Sequence, residues 1–182
     1  ALTEVLGRNQ GPTKLDFCKI DNFVLVNGLR GNNRLKSLIL RIFSSDAFGG
    51  NREVLAIAGA LKENKGLVDL ALWYYYTISD ETWGAICDSL ETHPTLEVLD
   101  LSCTTGLMDR LAPAVLKSQI QALLDMVKVN MSIYTIQLDP EHSQHELFRE
   151  SVIPYLETNR LRSRVRAIQQ TRPIPYRAKV LG

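Results

Sequence analysis

An apolar triplet with the spacing L-x-x-L-x-L recurs along the chain. It is Leu35, Leu38, Leu40 in "RLKSLILRIF", Leu67, Leu70, Leu72 in "GLVDLALWYYY", Leu96, Leu99, Leu101 in "TLEVLDLSCT" and Ile133, Ile136, Leu138 in "SIYTIQLDPE". A weaker copy, "PTKLDFCKI", holds Pro12, Leu15 and Phe17. The last two triplet positions lie two residues apart, on one side of a predicted strand, and their neighbours face the other side. A second marker precedes every triplet. An apolar residue stands three positions before an Asn or His, itself three before the first triplet position: Leu6 and Asn9, Leu29 and Asn32, Leu61 and Asn64, Leu90 and His93, Val127 and Asn130. A sixth pair, Leu156 and Asn159, predicts a degenerate last strand with Arg162, Val165 and Ala167 in the triplet positions. The markers step by 23, 32, 29, 37 and 29 residues, the period of a solenoid.

Between the predicted strands the period changes from two to that of a helix. Val54, Ile57, Ala58 and Leu61 form one stripe, Trp83, Ile86, Cys87 and Leu90 a second, and Leu116, Ile120, Leu123 and Val127 a third. Asn at the marker tolerates the left-handed conformation that ends helices, so each marker is predicted to be a helix stop. Ser143 and Glu146 in "SQHE" fit a capping box at a helix start. One strand and one helix cannot bury an apolar face alone, whereas stacked units share a continuous core.

With both markers in register over five units, the chain resembles the leucine-rich repeat family, in its ribonuclease-inhibitor-like class. The resemblance covers roughly residues 2 to 168. It implies an α/β solenoid, a curved right-handed stack with parallel strands on the concave face and helices on the convex face. Residues 1–168 form the repeat domain of about five to six units, and residues 169–182 a basic, proline-containing cap or linker. The cysteines typical of ribonuclease inhibitor are mostly missing, so inhibition of ribonuclease is not implied. The first unit is short, and the fourth carries the insertion "TTGLMDRLAP".

In such a fold the residues between the triplet leucines face the concave side. That surface is expected to hold Lys14, Asp16, Cys18, Ser37, Ile39, Arg41, Asp69, Ala71, Trp73, Val98, Asp100, Ser102, Thr135, Gln137 and Asp139. Four aspartates make it mildly acidic. In "ALWYYYTISD", Trp73 is expected to be concave and exposed, Tyr75 to turn into the core like Phe43 one unit earlier, and Tyr74 and Tyr76 to sit at the rim. An exposed Trp among charges reads as a binding anchor. The competing reading packs Trp73 on Arg41 and Tyr74 with no partner. The candidate partner-binding set is Arg41, Asp69, Trp73, Tyr74, Asp100, Ser102, Gln137 and Asp139.

Charge is unevenly placed. The whole chain carries 21 basic and 20 acidic residues. After Glu157 there are seven basic residues and no acid, so the tail is +7 and the remainder, with 14 basic and 20 acidic groups, is −6. Arg160, Arg162, Arg164 and Arg166 are therefore either a polar cap on the last unit or a contact for an acidic partner, RNA or an anionic membrane. A single Tyr in the tail argues against single-stranded nucleic acid.

Little points to chemistry. Cys18, Cys87 and Cys103 form neither a disulfide framework nor a metal spacing, which suits a reducing, intracellular and cytoplasmic setting. His142 and His145 flank a stretch where acids suit a first helical turn better than a metal site. "FGGNRE" lacks the ending of a phosphate loop. No apolar run reaches the roughly 18 residues of a membrane span. "ALTEVL" reads as a helix already under way, without an initiator Met, so the chain is expected to be a piece of a longer one, attached to further domains or held in a larger assembly.

The expectation is a non-enzyme without cofactor or metal: a scaffold whose concave face binds another protein of unknown identity. Two alternatives stay open, a regulator of a GTPase resembling the Ran GTPase-activating proteins of the same repeat class, and a structural subunit of a larger assembly.

Overall fold

The computed structural model describes residues 2–18, 22–42, 49–74, 78–102, 113–138 and 146–171. Strand and helix alternate along the described residues. The strands are β1 (Lys14–Cys18), β2 (Ser37–Ile42), β3 (Asp69–Tyr74), β4 (Val98–Asp100) and β5 (Thr135–Gln137). The helices are α1 (Leu2–Gly7), α2 (Asn22–Leu29), α3 (Gly49–Glu63), α4 (Asp80–Leu90), α5 (Pro113–Val129) and α6 (Ile153–Thr171). All five strands form one parallel sheet in the order β1-β2-β3-β4-β5. Parallel neighbours need a crossover, and each crossover here carries a helix that packs on the helix of the next unit.

The register aligns the triplets. Leu15, Leu38, Leu70, Leu99 and Ile136 run across the sheet in one row, and Phe17, Leu40 and Leu72 in a second. Along β2 burial alternates as period two requires. The first triplet positions Leu35, Leu67, Leu96 and Ile133 are all fully buried where the chain enters each strand. Entry itself repeats: two successive N–H groups donate to one carbonyl of the preceding unit, Val68 and Asp69 to Lys36, Glu97 and Val98 to Val68, Tyr134 and Thr135 to Glu97. The helix stripes face the same core, with Val54, Ile57, Ala58, Leu61, Trp83, Ile86, Cys87, Leu90, Ile120, Leu123 and Val127 buried. Trp83, 2% exposed, donates from Nε1 to the Gln119 carbonyl at 3.0 Å and so pins α4 to α5. Ser79 caps α4 by accepting from the Thr82 N–H at 3.2 Å.

Two expectations are corrected. The marker residues are not left-handed helix stops, Asn9 excepted (φ 56°). They instead form a buried ladder of side chains linking the units. Asn64 donates from Nδ2 to the Leu29 and Asn32 carbonyls of the previous unit (2.6 and 2.7 Å) while its Oδ1 accepts from Gly66 and Leu67 N–H. Asn130 repeats this with the Leu90 and His93 carbonyls and the Ser132 and Ile133 N–H groups. Asn32 reaches the Leu6 carbonyl and accepts from Arg34 and Leu35. An amide offers two donor hydrogens and two acceptor lone pairs, which matches this fourfold demand.

The second correction is at the end of the chain, where the expected sixth strand is absent. Arg162, Val165 and Ala167 lie on α6, which runs through residue 168 to Thr171. Asn159 still serves the ladder from inside that helix, donating to the Asn130 and Ile133 carbonyls, both at 2.9 Å. A π-helical turn, Phe148–Val152, leads into α6 and buries both its end residues. Ser143 of the expected capping box, like Phe43, Tyr75, Tyr76 and Cys103, lies outside the described residues.

Candidate interaction surface

The sheet side turned away from the helices carries the residues between the triplet leucines. Parallel pairing sets them in rows. Lys14, Ser37, Asp69, Val98 and Thr135 make the first, Asp16, Ile39, Ala71, Asp100 and Gln137 the second, and Cys18, Arg41 and Trp73 the third. A parallel, unslipped register is the reason residues up to 121 positions apart in sequence, Asp16 and Gln137, share one line.

Contacts then run diagonally between rows. Arg41 Nη2 donates to Asp16 Oδ2 at 3.0 Å. The Arg41 guanidinium lies over the Trp73 ring, 5.0 Å from its centroid, within cation–π range. Trp73 Nε1 donates to Asp100 Oδ2 at 2.9 Å, and Asp100 Oδ1 accepts from the Ser102 N–H at 3.0 Å and from its hydroxyl. The result is one continuous chain, Asp16–Arg41–Trp73–Asp100–Ser102, across four strands. Ser37 Oγ donates to Asp69 Oδ2 at 3.1 Å beside it.

Trp73 is half-buried, not fully exposed as the strand alternation alone suggested. Its ring is flanked by Arg41 and tethered by Asp100, so part of the packing reading holds: Arg41 is a neighbour. Ala71, expected on the open face, is buried. Tyr74 closes β3 opposite Ile42. Gln137 is exposed at the end of β5, and Asp139 lies outside the described residues. The surface thus has its aromatic and its charges already fixed in position. A partner meeting it finds ordered groups and pays less ordering entropy than with free side chains.

Asp16 and Asp69 each engage one carboxylate oxygen, with Arg41 and Ser37, and Asp100 engages both, with Trp73 and Ser102. Among the described residues no three His, Cys, Asp or Glu side chains are placed to hold a metal ion; His142 and His145 lie outside them. Cys87 is buried and its thiol is pushed up to about 12 by burial, with the Asp88 charge adding, which makes it inert. His93 is buried in the ladder, and burial holds its pKa down to about 4. No helix among the described residues is long and apolar enough to cross a membrane.

The four tail arginines stand apart from this face, on α6. Arg160, Arg162, Arg164 and Arg166 are all exposed. Arg162 Nη1 donates to Asn159 Oδ1 at 3.2 Å, and Arg160 Nη2 reaches the Tyr134 carbonyl at 3.4 Å. The sequence pattern did not reveal that Leu161, Val165 and Ile168 are exposed beside them. A helical reading of "LRSRVRAI" would have found them, since they fall at i, i+4 and i+7.

No protein-family model matches the chain, and no curated protein matches it in sequence. Among solved structures it is similar to a chain described as Leiomodin-1 Actin-Binding Site 2 (ABS2), with 20% sequence identity, a TM-score of 0.69 and 92% of each chain covered. It also matches the tropomodulin C-terminal domain of Caenorhabditis elegans, with 19% identity, a TM-score of 0.49, 82% of this chain and 99% of that one. At such identity the likeness to the leiomodin chain is one of fold.

Proposed function

We propose that this chain is a protein-binding module: a curved leucine-rich repeat solenoid that engages a partner protein through the strand face, with actin as that partner. The observation that carries the reading is the ordered line Asp16–Arg41–Trp73–Asp100–Ser102. Trp and Arg dominate the energetics of interfaces, and here one of each is held side by side on the sheet with acceptors fixed around them. Repeat proteins use such extended faces for macromolecular partners. The choice of actin is supported by the leiomodin chain of similar fold, whose description is an actin-binding site. No observation favours the GTPase-regulator or structural-subunit alternatives over this one.

Co-sedimentation with purified actin filaments, together with a pull-down of monomeric actin, tests the proposal. The expected result is retention of the wild-type chain by one of the two forms and its loss in Arg41→Ala and Trp73→Ala. Binding that survives both substitutions removes the strand face from the account. Failure to bind either form removes actin.

A further inference from the structure

The helix α6 shows a second surface that the strand face does not explain. Its first turns are fixed to the body by Leu156 and Asn159, both buried. From Arg160 onward it is largely exposed, although Arg160 still reaches the Tyr134 carbonyl: of residues 160–171 only Ser163 and Gln169 are even half-buried. On the side roughly opposite Leu156 and Asn159 stand Leu161, Val165 and Ile168, with exposures of 61%, 51% and 48%. At 100° per residue these three fall within an arc of about 60°. Arg164 flanks the stripe on one edge and Arg162 on the other, with Arg160 and Arg166 further round towards the body. No acid follows Glu157. Three aliphatic side chains in line on an exposed helix, bordered by a cation on each edge, are costly to leave in water without a role.

We infer that the distal part of α6 is itself a ligand: it inserts into the apolar, acid-rimmed groove of a second protein, of the methionine-lined kind that opens on binding Ca²⁺. Three features select this occupant. The anchors at i, i+4 and i+7 match how an amphipathic helix lies in a groove. Their mixed shapes, with no aromatic ring, suit an adaptable methionine lining over a rigid pocket. The helix is exposed around nearly its whole circumference, so a groove with two walls can close on it. A bilayer covers one face only, whereas the exposure of α6 extends well beyond the stripe. The cations on both edges complement an acidic rim and would raise the association rate. This surface is separate from the strand face, and the inference stands whether or not actin binds there.

The test mixes the purified chain with calmodulin as the probe groove, with Ca²⁺ and with chelator, and follows complex formation by calorimetry and size-exclusion chromatography. A parallel arm uses phosphatidylcholine vesicles with and without phosphatidylserine. The expected result is a one-to-one complex in Ca²⁺ only. It should weaken at least tenfold in Leu161→Asp and in Val165→Asp, and weaken with added salt less steeply once Arg160, Arg162, Arg164 and Arg166 are all Gln. Both aspartate variants alter exposed positions, so unchanged circular dichroism and melting temperature verify that the fold is intact. No complex in Ca²⁺, a complex indifferent to the aspartate substitutions, or binding to anionic vesicles without binding to calmodulin would each overturn the inference.

Discussion

His93 is the one rung of the side-chain ladder that is not asparagine, and the fold should be sensitive to acid because of it. An amide at this position accepts two N–H groups and donates to two carbonyls, as Asn64 and Asn130 do. The imidazole accepts one, from the Leu96 N–H to Nδ1 at 3.2 Å. Its Nε2 finds no hydrogen-bond partner among the described residues, though the ring is only 3% exposed. Nδ1 accepting fixes the neutral tautomer with the proton on Nε2. Acid would place a second proton on Nδ1, against the Leu96 N–H, and a charge in a buried site. Burial accordingly lowers the folded pKa from 6.5 to about 4. The folded state binds this proton less readily than the unfolded chain does. His93 therefore contributes stability that is present above pH 6.5 and is lost as pH falls towards 4. The full loss is roughly 3 kcal/mol, of which about 2 kcal/mol is gone by pH 5.

His93→Asn separates this effect from the titration of carboxylates, which both proteins share. Asn would recover an acceptor for the second N–H and donors for the Leu61 and Asn64 carbonyls, the equivalents of those used one unit later. At about 0.5–1.5 kcal/mol net per bond, the variant should be about 1–2 kcal/mol more stable at pH 7. Its advantage should grow by about 2 kcal/mol at pH 5. Urea denaturation followed by circular dichroism at the two pH values measures both differences. A gap of equal size at pH 7 and pH 5 would refute the titration argument. A variant less stable than wild type at pH 7 would refute the ladder argument.

Other outcomes follow from the same framework. Asn130→Ala removes four hydrogen bonds, taking the partner from the His93 carbonyl and from the Ser132 and Ile133 N–H groups while the Leu90 carbonyl keeps the His93 N–H, so it should cost about 3 kcal/mol in denaturant melts; a loss under about 1 kcal/mol would mean water replaces the amide. Leu70→Asp or Leu99→Asp puts an unpaired charge at a fully buried sheet position, and either should abolish the cooperative melt; wild-type thermal stability in either would contradict the strand register. In single-Trp variants, Trp73 should be quenched by iodide or acrylamide more than Trp83, because one is half-buried on the open face and the other lies under α5; equal quenching would place both rings in the core. Cys87 should stay unlabelled by thiol reagents in the folded protein at pH 8 and react on unfolding, given a thiol pushed up to about 12.

Much of the fold was readable because two spacings coincide. The triplets mark where an apolar side chain must alternate, and the markers fix where each helix gives way to strand. Each spacing alone is common, and their shared register over five units is not. What the marker does was less legible. A left-handed Asn is a local property and can be inferred from local sequence. The ladder depends on carbonyls about thirty residues away, as between Asn64 and Leu29, and no local pattern shows them. The last unit departs from the strand expectation for a physical reason: the first positions of the strand triplet and of a helix stripe share a three-residue step. Arg162 in a position that is fully buried in the four clear copies is the available warning, since an unpaired Arg has no place inside a stack.

The surface follows the same division. Strand alternation predicts Arg41, Trp73 and Asp100 on one face, and the register sets Arg41 beside Trp73 and Ala71 beside Asp100 in adjoining rows. That Trp73 spends its indole N–H on Asp100, 27 residues on, depends on the pairing of β3 with β4. For that reason its half-buried state could not be read from the aromatic run itself.

The affinity of the chain for actin, measured by calorimetry in Trp73→Ala against wild type, bears most directly on the account. Leu55→Ala, at a partly exposed position of α3 on the helix side, serves as the control. The strand-face reading predicts a loss of about 2 kcal/mol or more for Trp73→Ala, roughly thirtyfold in the dissociation constant, with Leu55→Ala unchanged and both variants folded. Equal affinity in Trp73→Ala and wild type would contradict it.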